Sequence, residues 1–291
     1  MARRISVTML SAYLYCRRKL YLERVLGLFE PEKEALIKGS IRHTAYEEIN
    51  KIEESLVKSI TQTTAFKDIY DMYIHAYAKI LRDIIHKNRF RLKTVQLPLL
   101  DAFKKIFPFF VRESKLRAEN IFNFIAQNKV YGEDLWNSLT PKIKSEIKIQ
   151  SDTLALTGVI DRVEEYEAGS VPIEMKTGSM PKEGVWPGHR IQIAAYAILL
   201  EEKLKQPIKE GFVHYLDSDI RRQIVINPFL KQEVKDLKEK VRGLLNSAKM
   251  PEHNENSNKC SVCGLKDKCY NEKFIKNLLN SKTKALNTNS N

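Results

Sequence analysis

The sequence predicts a mixed α/β (α+β) fold: a mixed β-sheet core flanked by helices, with a helical lobe inserted ahead of the sheet and a cysteine-rich segment behind it. Three observations carry this prediction. The stretch from about 60 to 140 has helical composition nearly throughout, whereas a polar–apolar alternation begins directly after Pro141. The segments after Pro141 then run strand, strand, strand, helix, strand, strand, helix, an order that packs as a sheet covered by helices. Three of the four cysteines cluster near the C-terminal end, in "CSVCGLKDKC".

The elements follow in order. Residues 6–26 read as a helix, with Ser6 and Thr8 as caps and Leu10, Leu14 and Tyr21 on a rough apolar face. A second helical pattern runs from Pro31 to Leu56. In the long helical stretch, Pro98 and Pro108 are expected to break or kink the chain. "KIKSEIKIQ" alternates as a half-buried strand, and "TLALTGVIDRVEEY" follows as a second, with Gly158 allowing a bend or close packing. After the turn "AGS" comes "SVPIEMKTG", a third strand with Pro172 near its beginning. "GHRIQIAAYAILLEEKL" is a strong helix, "IKEGFVHYLD" and "IRRQIVINP" pair around "DSD", and residues 229–248 form a charged helix. The polar tail from about 279 is expected to be unstructured. The segments so predicted are 1–50 (N-terminal helices), 51–140 (helical lobe), 141–250 (sheet core), 251–275 (cysteine-rich) and 276–291 (tail).

Composition narrows the function classes. The chain has 291 residues, 43% of them hydrophobic, enough for a sizeable core. No run of apolar residues is long enough for a transmembrane helix and the N-terminus lacks the features of a signal peptide, so a cytoplasmic location and no membrane partner are expected. The formal charge of +13 favours a polyanionic partner, most simply nucleic acid. A Walker A sequence is absent, which argues against an intrinsic helicase or ATPase. The cysteine pattern C-x₂-C-x₅-C plus the remote Cys16 favours a metal site over disulfides, and the spacing leaves both Zn²⁺ and an iron–sulfur cluster open.

The chemistry centres on "VPIEMKTG". Residues two apart in a strand share a face, so Glu174 and Lys176 project together while Met175 points to the other side. Taken alone, the pair reads as a salt bridge at a sheet edge. Upstream, Asp161 ends the apolar run "LTGVI", and a hairpin between the two strands brings it beside Glu174. Two adjacent carboxylates stay ionised only with a cation between them, and Mg²⁺ or Mn²⁺ prefers such oxygen ligands.

Two further features give this pattern a family. "GSIRHTAYEE" places His43 in an early helix, and "QIAAYAILLEE" places Gln192 and Tyr196 on one helix face. With "GVID" and "IEMK" in this order, the sequence resembles the RecB-like branch of the PD-(D/E)xK nuclease superfamily. The resemblance implies a restriction-endonuclease-like core. It implies that His43, Asp161 and Glu174, with the main-chain carbonyl of Met175, hold Mg²⁺ or Mn²⁺. It makes Asp161, Glu174 and Lys176 the catalytic set, with Lys176 serving the attacking water, and gives Gln192 and Tyr196 a bracing and DNA-contacting role. Glu146, in "SEIKIQ", falls where related nucleases carry an acidic residue near the site. Glu47 either orients His43 through a hydrogen bond or is a solvated helix charge; both readings stay open here.

The cysteines narrow the likeness. An N-terminal cysteine in "YCRRKLYL", a RecB-like core and a C-terminal cysteine triplet together resemble the iron–sulfur nucleases of the Cas4 family. That likeness implies a [4Fe–4S] cluster on Cys16, Cys260, Cys263 and Cys269, exonuclease action on single-stranded DNA with endonuclease action in some members, and work beside the Cas1–Cas2 integrase in CRISPR adaptation. It covers residues 1–50 and 141–272. The stretch 51–140 is expected to roof a DNA channel, with "KNRFRLK" suited to phosphate contact or to a solvated helix face. A RecB-like nuclease of general repair and a non-catalytic DNA-binding subunit are the competing functions.

Overall fold

The computed structural model describes residues 4–288. The chain opens with a two-residue strand β1 (Ile5–Ser6) and continues into helices α1 (Val7–Tyr15), α2 (Arg17–Arg24), α3 (Glu34–Lys58), α4 (Phe66–Lys87), α5 (Arg89–Thr94), α6 (Leu99–Asn128) and α7 (Gly132–Ser138). Strands β2 (Lys142–Ser151), β3 (Leu156–Tyr166) and β4 (Gly169–Lys176) form an antiparallel meander. Helix α8 (Pro187–Leu204) then crosses over to β5 (Glu210–Tyr215), which lies parallel to β4. A hairpin returns β6 (Ile220–Val225) antiparallel to β5, and α9 (Pro228–Asn246) follows. Two short helices, α10 (Ser257–Ser261) and α11 (Lys266–Tyr270), lead into α12 (Glu272–Thr288). The sheet is mixed and six-stranded, ordered β1-β3-β4-β5-β6 with β2 on the other edge of β3.

The two faces of this sheet bury different helices. Val7 and Leu10 of α1, Ala194 and Tyr196 of α8 and Val234 of α9 pack against Ile160, Val213 and Tyr215. On the opposite face, Tyr46 of α3, Tyr77 of α4 and Phe110 of α6 share a core with Met175 and Leu216. The strand period decides which side chain meets which layer. Glu174 and Lys176 register with Val213 and Tyr215 and so face α8, while Met175 registers with His214 and faces the lobe. At Gly158, β3 passes close to Tyr196 of α8 and Val7 of α1. A Cβ there would stand 2.7 Å from Tyr196 Cε1, so the expected close packing is real.

Five sequence expectations are corrected. The helix expected over 6–26 is two helices, because Cys16 is extended (φ −162°, ψ 108°) and its sulfur accepts the Lys19 N–H at 3.3 Å as the cap of α2. Leu14, placed on the apolar face, is exposed. The boundary expected at 50/51 falls inside α3, whose Ile37, Ile41, Ala45 and Ile49 join the core of α4 and α6; α3 therefore belongs to the lobe. Pro98 does stand at a helix start, but α6 runs uninterrupted through Pro108. A helix-interior proline costs about 3 kcal/mol, and burial of Ile106, Phe110 and Ile121 along the same helix, at about 1.5–3 kcal/mol each, outweighs it. The tail expected to be unstructured from 279 continues α12 as far as Thr288, where Ile275, Leu278 and Leu279 pack with Tyr21, Leu22 and Leu26 of the N-terminal region.

Candidate metal centre and thiol pocket

Three adjacent strands each bring one carboxylate to the same level. Arg162 pairs with Ile173, so the preceding Asp161 comes beside Glu174. Ser145 pairs with Arg162 and Ile147 with Ile160, so Glu146 stands opposite Asp161. Helix α3 closes the row: His43 Nδ1 donates to Glu146 Oε1 at 2.7 Å and lies 3.6 Å from Asp161 Oδ1. Ligand atoms of His43, Glu146 and Asp161 all lie within 4.8 Å of one another. Asp161 is fixed from its other oxygen, since the Met175 N–H donates to Oδ2 at 2.7 Å.

Glu174 is 3% exposed. Its Oε1 meets Lys176 Nζ at 2.5 Å and accepts from Gln192 Nε2 at 3.0 Å, while its Oε2 is buried without a partner. Burial, joined by repulsion from Asp161 and opposed by Lys176, pushes the Glu174 carboxyl up to about 7. Burial likewise raises Asp161 against the pull of His43 and Lys176, and it raises Glu146 against the hydrogen bond from His43. That same bond to Glu146 holds the His43 imidazolium above its ordinary value. Burial opposes the charge on Lys176, but Glu174 and Asp161 together keep its ammonium above the usual lysine range. Carboxylates that resist ionisation together, an imidazole at their edge and one orphaned buried oxygen form a donor set that a divalent cation satisfies.

The structure brings the expected residues together with two adjustments. Glu146, expected only near the site, stands within the row itself, and it rather than Glu174 groups with His43 and Asp161 in the ligand geometry. Gln192 and Tyr196 are buried, at 3% and 2% exposure; Gln192 braces Glu174, and Tyr196 packs beneath β3 at Gly158. Of the readings left open for Glu47, the structure has its carboxylate on Lys148 at 2.8 Å. Sequence reasoning missed Asn50, whose carboxamide bonds the main chain of Ser145 beside Glu146. It also missed the buried ion network in which Arg117 joins Glu53, Glu113 and Ser145 Oγ while Arg162 joins Glu113. The available signal was spacing: Asn50 lies on the same face of α3 as His43, two turns on.

On a different set of elements, Cys16, Cys260, Cys263 and Cys269 line one pocket with Arg18, Leu22, Leu265 and Tyr270. None of the four forms a disulfide. Arg18 donates from Nε to Cys269 Sγ at 3.2 Å and binds the carbonyls of Pro251 and Cys269 through its other nitrogens, so α2 is tied to the C-terminal segment at the pocket wall.

A comparison with protein families matches residues 4–270 to the PD-(D/E)XK nuclease superfamily. The chain belongs to this superfamily. The match takes in the acidic row, Lys176 and the thiol pocket. Among curated relatives, a CRISPR-associated exonuclease Cas4/endonuclease Cas1 fusion of Leptospira interrogans is 29% identical over 158 residues, covering 51% of this chain and 29% of the fusion. A fusion of the same description from Myxococcus xanthus is 30% identical over 131 residues, covering 44% of this chain and 23% of the fusion. The CRISPR-associated exonuclease Cas4 of Francisella tularensis subsp. novicida is 30% identical over 118 residues, covering 40% of this chain and 57% of that protein. The chain thus spans less than a third of the two fusions it matches. No helix among the described residues of this nuclease-superfamily member is long and apolar enough to cross a membrane.

Proposed function

We propose that this protein is a Mg²⁺- or Mn²⁺-dependent deoxyribonuclease that trims single-stranded DNA ends, carries a [4Fe–4S] cluster and prepares DNA for a Cas1–Cas2 integrase. One observation carries the catalytic part: Glu146, Asp161 and Glu174 stand in a row across three strands, with His43 at one end and Lys176 at the other. His43, Glu146 and Asp161 would hold the cation, with Glu174 and the Met175 carbonyl completing the set. A bound divalent cation supplies charge for the scissile phosphate and lowers the pKa of a bound water. Gln192 fixes Glu174, and the Met175 N–H fixes Asp161, so the oxygens are positioned before substrate arrives. Lys176, charged and adjacent to Glu174, orients the attacking water and offsets the charge that builds on phosphorus. The net charge of +13 supports a nucleic-acid substrate.

Four free cysteine thiols lining one pocket form a sulfur donor set that suits an iron–sulfur cluster. The relatives described as Cas4/Cas1 fusions support a Cas1 partner. The deciding experiment is cleavage of end-labelled single- and double-stranded DNA with Mg²⁺, Mn²⁺ or chelator, wild type beside Lys176→Ala. Metal-dependent shortening of single strands, lost in the variant, is expected. Undiminished cleavage by Lys176→Ala overturns the site.

A further inference from the structure

Besides the Glu47–Lys148 pair, helix α3 meets β2 at two points, two helical turns apart. His43 reaches Glu146, and Asn50 reaches the residue before it. The Asn50 carboxamide takes both main-chain groups of Ser145: Oδ1 accepts from the Ser145 N–H at 3.2 Å, and Nδ2 donates to the Ser145 carbonyl. For this one residue a side chain acts as a neighbouring strand would.

The next residue is strained. Glu146 has φ +55°, in the left-handed region that costs an L residue about 1–2 kcal/mol. The β2–β3 register runs Ser145 to Arg162 and then Ile147 to Ile160, and it omits Glu146 opposite Asp161. One residue lies between those pairs on each strand, so nothing is inserted and there is no bulge; a single peptide unit has turned. Strain of this kind persists only where the surroundings over-determine it, and such sites cluster where chemistry is done. Ser145 is held from three sides: its N–H and carbonyl by Asn50 and its Oγ by Arg117.

We propose that Asn50 is a positioning residue for the metal centre: by clamping the main chain of Ser145, it keeps Glu146 in the left-handed conformation that aims its carboxylate at His43 and Asp161. The proposal rests on the reading of Glu146 as a metal ligand. A purely structural role for Asn50 would cost stability without acting through Glu146, and the two accounts separate in a double-mutant cycle.

The test is Mn²⁺ affinity by calorimetry, with the electron paramagnetic resonance spectrum of bound Mn²⁺, on the full chain. The proteins are wild type, Asn50→Asp, Asn50→Leu, Glu146→Gln and the double variant Asn50→Asp/Glu146→Gln. Asn50→Asp keeps the acceptor for the Ser145 N–H and loses the donor to its carbonyl, so it tests the clamp with the smallest change of shape. Asn50→Asp is expected to weaken Mn²⁺ binding about 10- to 100-fold, the loss typical of a partner that orients a ligand, and to alter the Mn²⁺ spectrum. In the Glu146→Gln background it is expected to add no further loss. Losses that add in the double variant, or unchanged affinity in both single Asn50 variants, overturn the clamp. Unchanged affinity in Glu146→Gln alone overturns the ligand reading beneath it, and that result needs no Asn50 variant.

Discussion

Glu174 holds a buried oxygen with no hydrogen-bond partner, and its carboxyl is pushed up to about 7 by burial and Asp161. This predicts how stability depends on pH. Below the unfolded value of 4.5 the group is protonated in both states. Between 4.5 and about 7 the folded state keeps a proton that the unfolded state releases, so stability falls as pH rises. His43 adds to the trend: its raised value stabilises the fold fully below 6.5, and that contribution is lost as pH climbs through its folded value. With chelator present, the melting temperature should therefore fall from about pH 4.5 to above 7. Glu174→Gln should flatten the slope, and Mn²⁺ should remove it by taking the proton's place. A melting temperature that rises over this range with chelator would contradict the account. Asp161, Glu174 and Lys176 were legible in the sequence because strand alternation dictates which side chains share a face. Glu146 was expected near the site only through the family resemblance, and the role of Asn50 was not foreseen, because both depend on one turned peptide that no periodicity encodes.

At the level of elements, the order of strands and helices after Pro141 was readable, and helix interruptions were read less well. Cys16 breaks a helix that its neighbours would continue, since a thiol rather than a hydroxyl supplies the cap. Pro108 fails to break one, because tertiary burial of its helix exceeds the local penalty. The side chain of Pro108 is exposed, so replacing it removes little packing. Pro108→Ala should restore a main-chain donor inside α6 and stabilise the protein by about 2 kcal/mol, after allowing for the looser unfolded chain. Urea denaturation measures this; a midpoint lowered without a change in slope would show that the proline suits the curvature of α6. The split of lobe from N-terminal helices at residue 50 was misplaced for a related reason: α3 is one helix with a single apolar stripe, and composition does not mark which layer that stripe meets.

Across the whole molecule, two centres lie on different supports. The acidic row sits on β2, β3 and β4, and the thiol pocket joins α2 to the segment around α10 and α11. Their separation predicts that damage to one should spare the geometry of the other. An anaerobic preparation of the wild type should be brown and contain iron. Cys16→Ser should lose the iron and melt at a lower temperature, because the two ends then rest on the packing of Tyr21, Leu22 and Leu26 against Leu265 and Ile275 and on the Arg18 hydrogen bonds, without a shared metal centre. Mn²⁺ affinity at the acidic row should change little. Zinc in place of iron in the wild type would overturn the cluster, and a loss of Mn²⁺ affinity equal to that of Glu146→Gln would show the centres to be coupled.

The placement of the sulfurs also bears on synthesis. Residue 16 emerges from the ribosome early and residue 269 late, and every strand from β2 to β6 is made between them. A chain that stops within the sheet, or just beyond it, has one thiol and no pocket. If the pocket takes the proposed cluster, its loading is a receipt for a finished nuclease sheet, issued only once translation has passed the last cysteine.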